Sequence, residues 1–282
     1  MLTLDSAMGM FIGLAVGDAL GAPLEFLPSR EPDEYVTKYM KGGYHDMKKG
    51  EWTDDTAMAL AMAQSFIDNE GEFNPADIMH NWSRWYMEGE FIPRGECFDI
   101  GTVTQRAIEK YNKNNTLYNG VSLDDSSGNG GLMRLAPAVI VSSTPERAME
   151  LAVAQTILTH GSAKCIEYSR VFAHELWHGS TLKRYDKYKL PYDIEREEVM
   201  SGGYVVETYQ CAMWAFQTTS SFADCVIKAV NRGHDSDTCG AVAGMIAGSH
   251  YGFNDIPTEF TKDLMWYEEL CRAAIKLHKL RR

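Results

Sequence analysis

Cysteine is present here without any of its usual patterns. The six cysteines, at positions 97, 165, 211, 225, 239 and 271, are scattered and include no Cys-x-x-Cys pair. The plain reading is a reduced, cytoplasmic protein with free thiols. Positive charge is also scarce: 27 Lys and Arg stand against 39 Asp and Glu, a net charge of −12. That balance argues against non-specific nucleic-acid binding, which depends on neutralising phosphates. It leaves room for an anionic small ligand, because bound divalent ions invert the local field. Long hydrophobic runs are missing too. The apolar stretch Ala7 to Gly17 is too short to span a bilayer and ends at Asp18, with no basic n-region or cleavage signal around it. No low-complexity tract or linker divides the 282 residues, so one domain with a substantial core is expected, monomeric by default.

Strand-like alternation is nowhere sustained, and helical periodicity dominates. Thr56 to Ile67 is rich in Ala, Met and Leu, and Ile100, Val103, Ala107, Ile108 and Tyr111 trace one apolar face. Thr144-Pro145-Glu146 supplies a capping hydroxyl and a proline at the first helical position, predicting a helix to about Leu158. Further helices are expected over Ala163 to His178, Tyr204 to Gln217, Phe222 to Asn231, Thr238 to His250 and Thr258 to Leu280. Between them, 28–51 reads as a surface excursion, 124–131 as a Ser/Gly/Asn-rich turn and 185–203 as a charged, mobile stretch. The fold class predicted is all-α.

Two acidic clusters echo each other across the chain: Trp52-Thr53-Asp54-Asp55-Thr56 and His234-Asp235-Ser236-Asp237-Thr238. Each opens a predicted helix, where the helix dipole favours negative charge, so capping alone accounts for either one in isolation. Together their carboxylates and hydroxyls form an all-oxygen donor set, which suits hard six-coordinate ions such as Mg²⁺ or Mn²⁺ and suits Zn²⁺ poorly. Brought together, they would hold two ions with a shared ligand. Glycine recurs every fourth residue at Gly9, Gly13, Gly17 and Gly21 and again at Gly240, Gly244 and Gly248. Each costs roughly 1 kcal/mol against alanine in a helix interior. Such stripes predict close packing of the helices that carry the site.

A rival site is His174-Glu175-Leu176-Trp177-His178, which matches H-E-x-x-H, with Glu198 where one class of zinc peptidase has its third ligand. Gly179 ends the helix directly after the second histidine, and surface histidines on a half-exposed helix are the bland alternative. Asp99, at the head of a helix, reads by itself as an N-cap. Gly128-Asn129-Gly130-Gly131 could cradle phosphates through backbone amides, and it is not a P-loop. His160 at a helix end could contact a ligand, His234 adjoins the second cluster, and Cys239 reads as a small buried residue.

Taken in order, several segments resemble the ADP-ribosylglycohydrolase family, most closely its dinitrogenase reductase-activating branch. They are Gly17-Asp18-Ala19-Leu20-Gly21 through Glu25, Thr53-Asp54-Asp55-Thr56, Phe98-Asp99-Ile100-Gly101, and Gly128-Asn129-Gly130 with Met133-Arg134 and Pro137. Thr159-His160, Gly203-Tyr204-Val205-Val206 and Asn231-Arg232-Gly233 through Asp235-Ser236-Asp237-Thr238 complete the set. The resemblance implies a compact helical fold with a dinuclear Mg²⁺ or Mn²⁺ centre. It implies Thr53, Asp54, Asp55, Asp235, Asp237 and Thr238 as metal ligands, with Asp99 and Glu25 as catalytic carboxylates. Thr102, Asn129, Gly130, His160 and Tyr204 match substrate-binding positions, Tyr204 as the ring stacking on adenine. One departure is His234, where a second glycine is common.

The activity implied is hydrolysis of the N-glycosidic bond between ADP-ribose and a protein side chain, arginine before others, as on an ADP-ribosylated nitrogenase iron protein. A protein carrying ADP-ribose is then the expected partner, with no nucleic acid and no membrane span. Zinc peptidase activity through His174 and His178, or an idle relative that binds ADP-ribose without turnover, are the alternatives.

Overall fold

The computed structural model describes residues 2–120, 127–179 and 194–281. Among them the chain is helical, and β pairing is limited to two isolated bridges, Gly42 with Met47 and Gly128 with Tyr204. The all-α expectation holds. The helices are α1 (Leu4–Gly21), α2 (Asp54–Asp68), α3 (Pro75–Glu88), α4 (Thr102–Asn114), α5 (Gly130–Met133), α6 (Ala136–Val141) and α7 (Pro145–Thr156). They continue with α8 (Ala163–Trp177), α9 (Val205–Gln217), α10 (Phe222–Val230), α11 (Ser236–Tyr251), α12 (Thr258–Thr261) and α13 (Tyr267–Lys279).

The central pair is α1 against α11. Their glycine stripes face each other in antiparallel register: a β-carbon added at Gly9, Gly13 or Gly17 would strike the carbonyl oxygen of Gly248, Gly244 or Gly240, respectively. Backbone therefore lies on backbone, with no side chain between. Both helices are buried along nearly their whole length. By length and composition α1 could cross a bilayer, at mean hydropathy 1.5 over its best window, but 94% of that window is buried inside the fold. The expectation that this stretch is too short to span fails on length, because the helix runs on through Asp18. Its apolarity serves the protein core.

Caps follow the sequence. Thr144 and Ser162 accept backbone N–H groups at the starts of α7 and α8, as Asn74 does for α3. Two boundary expectations fail. Asp99 is not an N-cap: it has φ +54°, and Gly101 caps α4. The helix expected over Thr258 to Leu280 breaks between α12 and α13, where Trp266 takes φ +54°. Tertiary contact overrides helical propensity there. The Trp266 ring meets Trp52 edge-on with centroids 5.7 Å apart, Trp52 donates its Nε1–H to Met265 O (3.0 Å), and Met265 N–H donates to Gly50 O (2.9 Å). The break clamps the loop that delivers the first acidic cluster. Parts of the segments 124–131 and 185–203 lie outside the described residues.

Candidate active site

Antiparallel packing places the C-terminal end of α1 beside the N-terminal end of α11. Gly21 sits so close that a β-carbon would lie 2.3 Å from Ser236 O, and the Ser236 hydroxyl donates to Gly21 O at 2.9 Å. The start of α2 joins them through Asp18. This carboxylate, fully buried, accepts from Thr53 N–H (2.9 Å) and Thr53 Oγ1 (3.0 Å) on one oxygen, and from Thr56 N–H (3.0 Å) and Thr56 Oγ1 (2.6 Å) on the other. Asp18 thus caps α2 from a different helix, satisfying N–H groups that have no intrahelical partner. Burial raises it to about 6 despite these four bonds. Its role was not assigned from sequence, although a lone charge within an apolar helical run was a usable signal.

The two acidic clusters meet at a cavity of about 640 Å³, within the usual range for a small-molecule site. Oxygens of Glu25, Asp235 and Asp237 lie within 4.8 Å of one another, and so do oxygens of Asp54, Asp99 and Asp237. Asp237 belongs to both groups. Asp55 stands behind them, its Oδ1 accepting from Thr238 Oγ1 at 3.4 Å, and Thr53 Oγ1 lies 3.2 Å from Asp237 Oδ2. Asp54 and Thr238 line the cavity, whereas Thr53 and Asp55 are wholly buried beneath it.

So much negative charge in one place is unfavourable as it stands. Burial, then the neighbouring carboxylates, hold Asp54, Asp55 and Asp237 well above the ordinary range, and burial likewise raises Asp235. Burial lifts Glu25 to about 8. Asp55 Oδ2 and Asp237 Oδ1 are buried without a hydrogen-bond partner. Buried carboxylate oxygens normally have partners, and these converge with hydroxyls into an all-oxygen set. The residues present therefore fit hard divalent cations, the lone pairs left over being the ones a cation would take.

His45 is the residue that sequence reasoning missed. It comes from the glycine-punctuated 28–51 excursion, where nothing marks it. Its Nε2 lies 3.2 Å from Glu25 Oε2 and 3.3 Å from Asp99 Oδ1. Those carboxylates, Asp99 first, raise the imidazole to about 9. The second missed cation is Arg134, quoted only as part of a motif. It is fully buried over the Trp82 ring (4.1 Å) and held by Gln155 Oε1 (3.0 Å) and Thr159 Oγ1 (2.6 Å). Burial lowers it to about 9, with Asp54 and Asp55 pulling the other way.

Of the expected substrate-binding residues, Thr102, Asn129, Gly130 and His160 line the cavity. The Asn129 amide is committed to the site itself, donating to Asp235 Oδ2 (2.7 Å) and Thr208 Oγ1 (2.9 Å). His160 backs the glycine turn: a β-carbon at Gly130 would lie 2.6 Å from its Cε1. Burial lowers His160 to about 3, so its ring stays neutral. Tyr204 is not among the lining residues, although Gly202 and Gly203 are; the Lys164 ammonium lies 5.2 Å from its ring centre.

The H-E-x-x-H pair does not build a zinc site. His178 is the C-cap of α8, not part of its last turn. Glu175 turns into the core, accepting from Tyr209 OH at 2.7 Å, while the two histidines are half-buried. Glu198 is exposed, and among the described residues no cluster of three metal-ligating groups includes His174, His178 or Glu198.

The family follows from the whole-chain match. The model of the ADP-ribosylglycohydrolase family matches residues 1–282. This chain belongs to the ADP-ribosylglycohydrolase family. It is similar to an ADP-ribosylarginine hydrolase Tri1 from Serratia proteamaculans, 33% identical over 98% of this chain and 79% of that protein. It is 34% identical to the ADP-ribosyl-[dinitrogen reductase] glycohydrolase of Rhodospirillum rubrum, over 92% of this chain and 90% of that one. Among solved structures, a chain of an ADP-ribosylglycohydrolase-related protein complex superposes with TM-score 0.83 at 32% identity, covering 99% of both chains. The protein is a hydrolase of this family.

Proposed function

We propose that the protein hydrolyses the N-glycosidic bond joining ADP-ribose to an arginine side chain of a modified protein, at a centre of two divalent cations, Mg²⁺ or Mn²⁺. The observation that carries the reading is Asp237, shared between two carboxylate groups and left with a buried unpartnered oxygen. Thr53, Asp54, Asp55, Asp235, Asp237 and Thr238 would hold the cations. When bound, the cations supply Lewis-acid polarisation and acidify a water.

The chain's own residues do the rest. Asn129 and Thr238 fix the orientation of Asp235 and Asp55. Asp18 fixes the Thr53 hydroxyl, which lies within donating distance of both Asp18 Oδ1 (3.0 Å) and Asp237 Oδ2 (3.2 Å). Asp99, at the cavity wall, is the acid–base group, taking a proton from a ribose hydroxyl or the attacking water, or delivering one to the departing nitrogen. Guanidine leaves poorly unless protonated. His45, in contact with Asp99 and Glu25 and raised to about 9, still carries a proton at neutral pH. The neutral Gly128–Gly130 turn takes the pyrophosphate through its glycine amides, Asn129 N–H being given to Gly203 O (3.1 Å), since the net charge of −12 repels phosphate elsewhere.

The relatives named above support arginine as the linkage, and the Rhodospirillum rubrum relative makes a nitrogenase iron protein one candidate for the modified partner. The enzyme is read as a cytoplasmic monomer. The test is release of free ADP-ribose from an ADP-ribosyl-arginine protein with Mg²⁺, with Mn²⁺ and after chelation. Release that needs a metal, and that Asp237→Ala abolishes together with metal binding, is expected. Undiminished release after chelation would refute the proposed centre, and no release under any condition would refute the linkage.

A further inference from the structure

Phe26, on the cavity wall, and Tyr44, packed against it, are two aromatic rings that the hydrolytic site does not use. Phe26 is 59% exposed and Tyr44 is 75% exposed, and Phe26 lines the cavity. They meet edge-to-face with centroids 4.9 Å apart. Tyr44 then stands edge-on to His45 (5.0 Å), and His45 leans on Phe98 (5.3 Å), so an aromatic arc borders Glu25 and Asp99. Single exposed aromatics need no explanation. Here a second feature points the same way. Phe26 has φ +61°, a conformation that bulky residues avoid, and it is pinned there by its N–H donating to His234 O at 2.7 Å. Both the exposure and the backbone strain cost stability, and they coincide on the cavity wall.

The charge beside the arc selects its occupant. Glu25 and Asp99 close on His45 Nε2 at 3.2 and 3.3 Å, so two carboxyl groups adjoin the exposed rings. A guanidinium is the group that lies on an exposed ring face and pairs with a carboxylate at once. The protein already binds one of its own guanidinium groups in this manner: Arg94 stacks over Phe98 at 3.9 Å while Glu51 takes its Nε (3.1 Å) and Nη2 (2.8 Å).

We infer that Phe26 and Tyr44 form the seat for the arginine side chain of the modified protein, and so select a guanidinium leaving group over a neutral one. This deepens the arginine hydrolase reading and rests on it. Phe26→Ala and Tyr44→Ala should each lower kcat/KM on an ADP-ribosyl-arginine peptide about tenfold, mainly through KM. The loss on a substrate whose ADP-ribose carries a small neutral O-linked group should be at least fivefold smaller. Calorimetric affinity for ADP-ribose itself should hold, and Phe26→Tyr and Tyr44→Phe should restore the arginine substrate. Equal losses on the two substrates, a parallel loss of ADP-ribose affinity, or no loss at all would each overturn the inference; the second would make the rings part of an adenosine seat. Saturation-transfer NMR with agmatine and ADP-ribose reads the seat without turnover. Its signal should vanish in the double variant. A wild-type enzyme that hydrolyses neither substrate yet shows the agmatine signal would sink the hydrolase reading and leave the seat standing. Absence of that signal from the wild type would sink the seat.

Discussion

Replacing Gly17 with alanine tests whether the α1–α11 backbone contact holds the two halves of the site in register. A β-carbon at Gly17 would lie 1.9 Å from Gly240 O and 2.3 Å from its carbonyl carbon. Carbon and carbonyl oxygen come no closer than roughly 3.3 Å in ordinary contacts, so the helices must separate by about 1 Å or more. No rotamer change relieves this, because both colliding atoms are fixed to backbone. Overpacking of this kind costs about 1–3 kcal/mol, and the clash with backbone puts it at the upper end. Alanine returns roughly 1 kcal/mol of helix propensity, for a net loss of about 2 kcal/mol. With a urea slope of about 3 kcal/mol/M the midpoint should fall by about 0.7 M. The effect on metal should be larger, since ligand distances are held to about 0.2 Å and the shift is several times that. Calorimetric Mn²⁺ affinity should fall at least about tenfold. Gly9→Ala is the control. Its β-carbon would lie 2.2 Å from Gly248 O, an equivalent clash, yet eight residues farther from the site, about 12 Å along the helix. It should lose similar stability and keep most of its Mn²⁺ affinity. Equal Mn²⁺ affinities in the two variants would refute the argument.

Two further outcomes follow from residues outside the cavity. Burial raises Glu175 to about 7 from 4.5. Because the folded value is the higher one, its contribution to stability is complete below pH 4.5 and is lost as pH rises to 7, about 3 kcal/mol in all. Denaturation of Glu175→Gln across that window should show a correspondingly flatter pH slope than the wild type; an unchanged slope would mean the carboxyl ionises freely in the fold. His178→Ala should leave ADP-ribose release within about twofold of wild type, as surface substitutions usually do. Loss of turnover together with bound zinc would reinstate the peptidase reading.

The helices were legible because their signals are local. A capping hydroxyl followed by proline fixed the start of α7, and the Ala163 start of α8 agrees to the residue. The break at Trp266 was not legible, since its cause is Trp52, a contact that only the folded chain makes. The acidic clusters were readable because each sits in a run of like residues beside a helix start. Asp18 and Arg134 were harder to read, because what makes them important is which donors and carboxylates they meet from other helices. His45 carried no signal at all. It lies in an irregular loop, and its meaning arises only when Glu25 and Asp99 close around it. The Phe26–Tyr44 pair was invisible for the same reason: two residues 18 positions apart in turn-rich sequence have no periodicity to announce a contact.

The glycine seam also dictates when the molecule can become itself. Gly21 and Ser236, joined in the finished structure, are 215 positions apart in the chain. During synthesis the apolar N-terminal helix emerges on the order of ten seconds before α11, the helix its glycine stripe meets, exists. Until then it presents a smooth, side-chain-free ridge flanked by apolar residues, a surface inviting the wrong neighbour. Contacts of such long sequence separation form slowly. Assembly of this protein should therefore be limited by one late docking event, and truncation anywhere before Ser236 should yield aggregated chains without any active fragment.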